Sequence, residues 1–76
     1  MGIAEKIKIL MLKRRTNQTE LAARLGMSNQ NLNNKLRQDR FTREELEAIA
    51  TELGATYQES PPPRQWFTLN DTGEEV

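Results

Sequence analysis

Apolar residues recur at helical spacing along most of the 76-residue chain and predict four short helices. The first helix, over residues 3–15, would bury a stripe formed by Ile3, Ile7, Leu10 and Met11. Residues 17–25 and 28–38 form two further helices separated by a turn, and residues 42–53 form the fourth. The inward positions of these three helices are Leu21, Ala22, Leu25, Leu32, Leu36, Leu46, Ile49, Ala50 and Leu53. The pattern therefore predicts a mainly α protein.

Capping signals set the ends of the predicted helices. Asn17 and Thr42 are each followed three residues later by Glu, a pattern typical of helix N-termini. Ser28 can cap the third helix in the same way. Gly26 and Gly54 can adopt the left-handed conformation that ends a helix.

The composition after the fourth helix favours extended structure. Residues 55–59 can be extended, residues 61–63 are three prolines that favour polyproline geometry, and residues 66–69 are strand formers. Residues 70–73 suit a turn, since Asn stands first and Gly last. A short C-terminal strand or hairpin is therefore expected, paired either with an earlier strand or with a second chain.

Aromatic residues in this extension need apolar partners. Ile9 and Leu12 fall outside the stripe of the first helix, so they could cover Trp66 and Phe67 in this molecule or in its twin. The residues expected in a dimer contact or in packing of the tail are Ile9, Leu12, Trp66, Phe67 and Leu69. We expect a domain over residues 1–54 and an extension over residues 55–76 in the same structural unit.

The composition argues against several functional classes. The chain has no Cys and no His, which removes disulfides, a thiolate nucleophile and the commonest general base. No apolar run has the length of a membrane span, and the first residues form a charged amphipathic stretch unlike a signal peptide. We expect a cytoplasmic, non-enzymatic protein that uses neither a metal nor another cofactor and has no membrane partner.

The third helix carries amides on its outward side. At about 100° per residue, Leu32 and Leu36 point to one side and polar residues to the other. These polar residues are Gln30, Asn34 and Arg37, with Asn29 and Asn33 to one side. An amide can donate and accept at once, which matches the major-groove edge of adenine. The pattern favours a helix that reads DNA bases over an ordinary solvated surface.

The segment QTELAARLGMSNQNLNNKL resembles the helix-turn-helix of the phage repressor and Cro family, also called the xenobiotic-response-element type. The resemblance covers about residues 3–54. It implies a lambda-repressor-like bundle of four to five helices in which the third helix lies in the major groove. Ala22, Gly26 and Leu32 match the residues that set the interhelical angle in this family.

The resemblance also implies roles for polar residues. Gln18 matches a glutamine that binds a phosphate and braces the first residue of the recognition helix, here Asn29. Gln30 and Asn34 fall where members commonly contact bases. Lys35 stands where many members have an apolar or aromatic residue, and Leu36 where many have Glu, which would rotate or tilt the end of this helix.

Charges are separated along the chain although the net charge is zero. Residues 1–43 hold ten basic and three acidic residues, a net +7, whereas residues 44–76 hold one basic and eight acidic residues, a net −7. The basic half contains the motif, so neutrality does not exclude DNA. The expected base contacts are Asn29, Gln30, Asn33 and Asn34. The expected phosphate contacts are Asn17, Gln18, Lys35, Arg37, Arg40 and Arg43.

The leading hypothesis is a transcriptional regulator that binds double-stranded DNA in a sequence-specific way as a homodimer on half-sites about 34 Å apart. If the tail supplies the dimer contact, deleting residues 60–76 should weaken DNA binding and leave the helical fold largely intact. The alternative is a protein-interaction module, such as an antitoxin or adaptor, that binds a protein partner through the C-terminal extension. A binder of single strands or RNA ranks third, and catalysis fourth.

Overall fold

The computed structural model describes residues 2–61 and 64–76, which form four helices followed by a β-hairpin. The helices are α1 (Ile3–Lys13), α2 (Gln18–Leu25), α3 (Asn29–Gln38) and α4 (Arg43–Glu52), and the strands are β1 (Ala55–Ser60) and β2 (Arg64–Leu69). The predicted fold class, a mainly α bundle with a short C-terminal hairpin, is confirmed. Two of the three prolines, and with them most of the expected polyproline segment, lie outside the described residues.

The helix ends follow the capping signals of the sequence. Asn17 Oδ1 accepts the backbone N–H of Glu20 at 2.8 Å, and Ser28 Oγ caps α3 in the same way. Thr42 and Glu45 form a reciprocal capping box at the start of α4. The first helix ends at Lys13 and not at Arg15, because Arg15 adopts a left-handed φ of 52° that interrupts the helix.

The hairpin pairs within the chain. β1 and β2 are antiparallel, with Tyr57 opposite Phe67, and the two rings lie 5.7 Å apart. Sequence reasoning missed that residues 74–76 return along the other side of β2, where Phe67 and Val76 exchange backbone hydrogen bonds of 3.2 and 2.9 Å. The hairpin therefore has a third, short extended segment beside β2.

One core joins the helices to the hairpin. Phe67 and Leu69 are buried with the apolar stripes of the four helices, and Phe67 is completely inaccessible to solvent. Ile9 is half-buried, whereas Leu12 remains 78% exposed. The aromatic residues of the tail therefore do not cover Leu12 within this molecule. Of the two expected arrangements, only packing of Leu12 against a second chain remains.

Arg14 connects three parts of the fold. Its Nε donates to the carbonyl of Leu53 at 2.8 Å, and its Nη2 donates to the carbonyl of Gly54 at 3.0 Å. Its guanidinium also makes two hydrogen bonds, of 3.0 and 2.7 Å, to the carboxylate of Asp71 in the turn after β2. The end of α1 is thus tied to the end of α4 and to the hairpin.

The Arg14–Asp71 pair predicts a loss of stability in acid. The hydrogen bond from Arg14 lowers the pKa of Asp71 from 3.8 to about 2. A carboxyl whose pKa is lower in the folded state than in the unfolded state stabilises the fold at pH values above its unfolded pKa. That contribution disappears as the pH falls through about 2. We expect Asp71→Asn to lower the free energy of unfolding near neutral pH, with the difference from wild type closing below about pH 4. Denaturant titrations across this pH range measure it.

Glu75→Gln is the matched control, because Glu75 makes no ion pair within residues 2–61 and 64–76. A difference between Asp71→Asn and wild type that stays constant with pH would contradict the assignment.

Candidate nucleic-acid interface

The α2–turn–α3 unit is held by its apolar residues. Leu21 and Ala22 of α2 and Leu32 and Leu36 of α3 are all buried. Gly26 ends α2 with a φ of 72°, a conformation that glycine adopts without strain. The α3 helix continues without interruption to Gln38, so its polar side is a single continuous surface.

This polar side of α3 is fully open. The side chains of Asn29, Gln30, Asn33 and Asn34 are all exposed. Across the part of the chain that the structure describes, Gln30, Asn33 and Asn34 make no side-chain hydrogen bond. Their donors and acceptors are therefore available to a ligand. Amides carry no charge but both donate and accept hydrogen bonds, so the surface can distinguish one hydrogen-bonding pattern from another.

Gln18 and Asn29 join the first turns of α2 and α3. Gln18 Nε2 donates to Asn29 Oδ1 at 2.8 Å, and it lies 3.4 Å from the backbone carbonyl of Asn29. This is the bracing contact that the family resemblance implies. One lone pair of Asn29 Oδ1 is used, which leaves a second lone pair and two N–H donors for a base. The amide of Asn29 is therefore held in one orientation before any ligand arrives.

Lys35 is engaged within the fold. Its Nζ lies 2.9 Å from Glu45 Oε2, and both side chains are about three-quarters buried. The other oxygen of Glu45 accepts the backbone N–H of Thr42 at 2.8 Å. The hydrogen bond from Lys35 is the main cause that lowers the pKa of Glu45. This pair fastens the end of α3 to the start of α4, so the charge of Lys35 is already compensated.

The partner of Lys35 was missed by sequence reasoning. The available signal was a lysine at a position where the resembling family often has an apolar residue. A lysine at a half-buried position favours a nearby carboxylate, but Asp39 and Glu44 are closer to it in sequence than Glu45 is, so the sequence did not single out the partner.

The arginines near the end of α3 and the start of α4 differ in whether they form ion pairs. Arg37 and Arg40 are exposed and make no ion pair with any described residue. Arg43 Nε lies 3.4 Å from Glu59 and 3.6 Å from Glu47, and its side chain is 67% exposed. Exposed pairs at such distances contribute little, so Arg43 can exchange its partners for another anion.

The charge separation seen along the sequence is smaller in three dimensions. Lys13 pairs with Glu74 at 2.8 Å and Arg14 with Asp71 at 2.7 Å, so the acidic extension neutralises the end of α1. Lys6 also donates to a backbone carbonyl of β2 at 2.8 Å. The basic residues of α1 therefore serve partly to attach the hairpin.

The aromatic residues of β2 face opposite sides. Phe67 lies in the core, whereas Trp66 is half-buried beneath the guanidinium of Arg64, whose carbon lies 4.4 Å from the ring centroid. Trp66 Nε1 is buried without a hydrogen-bond partner among the residues described. The covered ring of Trp66 is thus not an open platform on which a base could stack.

Comparison with known proteins gives one match. A family model described as the Cro/C1-type HTH (helix-turn-helix) DNA-binding domain matches residues 6–59, from the first turns of α1 to the end of β1. No curated protein and no solved structure matched the chain. None of the helices within the described residues is long and apolar enough to cross a membrane.

Proposed function

The chain belongs to the Cro/C1-type helix-turn-helix DNA-binding domain family, and we propose that it is a regulator of transcription that reads double-stranded DNA with α3 in the major groove. The observation that carries this proposal is the open amide side of α3 with Asn29 held by Gln18. The groove is about 12 Å wide and admits one helix. Residues near the N-terminus of such a helix come closest to the bases.

The proposed contacts follow from exposure and free hydrogen-bonding groups. We assign base contacts to Asn29, Gln30, Asn33 and Asn34. We assign phosphate contacts to Asn17, Gln18, Arg37, Arg40 and Arg43. Lys35 receives less support than the sequence suggested, because binding a phosphate would require it to leave Glu45. The backbone N–H groups of Asn17 and Gln18 make no hydrogen bond among the described residues and lie at the N-terminus of α2, where the helix dipole also favours an anion.

The proposed active form is a homodimer. One helix of this size reads only a few base pairs, so a symmetric pair of half-sites about 34 Å apart would supply useful affinity. Leu12 is the one large apolar side chain left exposed among the described residues, and we assign it, with Ile9, to the dimer contact. Phe67 and Leu69 lie in the core of one chain and are not available for it.

A cytoplasmic location without a catalytic role fits this proposal. The alternative of a protein-interaction module that binds its partner through the tail has less support. Phe67 and Leu69, two of the large apolar residues of the tail, are already buried within the chain.

Selection of bound sequences from random duplex DNA tests the proposal. We expect wild type to enrich a palindromic motif, and we expect Asn29→Ala, Gln30→Ala to lose the preference at two positions in each half-site. Each lost side chain that makes two hydrogen bonds to one base should cost about 1–3 kcal/mol of discrimination between the correct base and a wrong one.

The control variant is Asn31→Ala, because Asn31 is exposed on the same helix but was not assigned a base contact. If wild type enriches no motif, or if the double variant enriches the same motif as well as wild type does, base reading by α3 is wrong. A motif without two-fold symmetry would refute the dimer.

A further inference from the structure

Asp39 at the end of α3 is locally unfavourable in two ways. It is the C-cap residue of α3 and has a φ of 54° and a ψ of 44°, a left-handed conformation that favours glycine. A carboxylate also carries the wrong charge for the C-terminus of its own helix, where the dipole favours cations. Aspartate tolerates the left-handed conformation better than most residues do, but local structure gives no reason to prefer it to glycine or asparagine at this position.

The reason lies in α1. Asp39 Oδ1 accepts the backbone N–H of Ala4, in the first turn of α1, at 2.7 Å. The N-cap residue of α1 is Gly2, which has no side chain to cap the helix. Asp39 therefore supplies this cap from another helix, and its charge is favourable at the N-terminus of α1.

Gly2 leaves the space that this contact needs. A β-carbon at Gly2 would lie 1.8 Å from Asp39 Oδ2, far inside van der Waals contact. A β-carbon at position 2 would thus force the Asp39 carboxylate, including the Oδ1 atom that binds Ala4, to shift. Gly2 at the start of α1 and Asp39 at the end of α3 are therefore complementary in shape.

We propose that Asp39 is a positioning residue that sets the orientation of the recognition helix. This inference rests on the proposed function, in which α3 enters the major groove. Gln18 holds the first turn of α3 to α2, and Lys35 with Glu45 holds its last turns to α4. Asp39 adds a contact to α1, the helix that Arg14 ties to the hairpin. The depth and tilt of the amide side in the groove depend on all three contacts.

The decisive variants are Asp39→Gly and Asp39→Asn. Glycine is relaxed in the left-handed conformation but removes the cap, so its effects on folding stability should largely cancel. Asparagine tolerates the same conformation and keeps an acceptor oxygen. We expect Asp39→Gly to stay folded and to bind the selected duplex about tenfold more weakly, the loss of one good base contact. Asp39→Asn should restore binding to within about twofold.

Gly2→Ala tests the contact from its other side. It should weaken DNA binding in the wild-type background and add nothing in the Asp39→Gly background, since both changes remove the same contact. A merely structural role would instead lower the unfolding free energy of both variants in proportion to their loss of binding.

The inference is overturned if folded Asp39→Gly binds as wild type does, if Asp39→Asn binds no better than Asp39→Gly, or if the losses from Gly2→Ala and Asp39→Gly simply add. The angle between α1 and α3, measured by residual dipolar couplings without DNA, should change in Asp39→Gly and not in Asp39→Asn. If wild type selects no duplex sequence, the proposed function fails, and this angle still decides the role of Asp39.

Discussion

Replacing Phe67 with alanine should lower the free energy of unfolding by about 3–5 kcal/mol, the range for removing a fully buried aromatic ring. Phe67 is inaccessible to solvent and contacts Tyr57 across the hairpin. A domain of this size has a total stability of only about 4–11 kcal/mol. The variant should therefore lose from about a quarter to all of its stability, which thermal and urea unfolding followed by circular dichroism will measure.

Asn31→Ala is the control, because Asn31 is exposed and a surface substitution changes stability by less than about 0.5 kcal/mol. Deleting residues 60–76 should unfold the helices as well, since it removes Phe67 and Leu69 from the shared core. This replaces the expectation from the sequence that the helical fold would survive the deletion. A truncated chain that keeps its helices and unfolds cooperatively would show that the hairpin is dispensable.

Affinity for the selected operator should fall about 150-fold between 50 and 200 mM salt. Each phosphate neutralised by a cation contributes about −0.9 to the slope of log affinity against log salt. Arg37 and Arg40 are the expected phosphate contacts without an ion pair among the described residues. These two cations in each half of a dimer give a slope of about −3.6. Arg43 is not counted, because its contact with a phosphate replaces its contacts with Glu47 and Glu59. Fluorescence anisotropy with a labelled duplex at several salt concentrations measures this slope.

Two charge-removing variants make the prediction specific. Arg40→Gln should reduce the magnitude of the slope by about two in a dimer, whereas Lys35→Gln should leave it unchanged, because Lys35 is paired with Glu45. If Lys35 and Arg43 instead contribute to the slope as fully as Arg37 and Arg40 do, it approaches about −7, and Lys35→Gln reduces it. A slope near zero would contradict DNA binding through this surface and would favour a protein partner.

Local signals in the sequence predicted most of the helical structure. The caps at Asn17, Ser28 and Thr42 act over three residues, so their partners lie within reach of the pattern itself. The buried positions of α4 follow from the helical period for the same reason. The strand propensity of the tail was also correct, because β-branched and aromatic residues favour extended structure.

Contacts between distant residues could not be read in this way. Nothing local to Asp39 indicates that its carboxylate caps a helix 35 residues away. The same holds for Arg14, whose partner Asp71 lies 57 residues further along the chain. Lys35 was counted with Arg37, Arg40 and Arg43 as a phosphate contact, since a sequence gives the number of charges but not which of them are already paired.

The candidate site was predicted in part. The amide side of α3 follows from periodicity, and its bracing by Gln18 was implied by the family resemblance. The relative freedom of Arg40 and Lys35 depends on which carboxylates the fold brings near them, and this required the structure.

The hydrogen bond between Gln18 and Asn29 has a consequence for changing the DNA target of this protein. In the proposed complex, a new residue at position 29 must suit both a DNA base and the amide of Gln18, whereas a residue at position 30 must suit the DNA alone. Altered specificity should therefore be reachable by single substitutions at position 30. At positions 18 and 29 it should require coupled changes, so libraries built to redirect this domain should vary those two positions together.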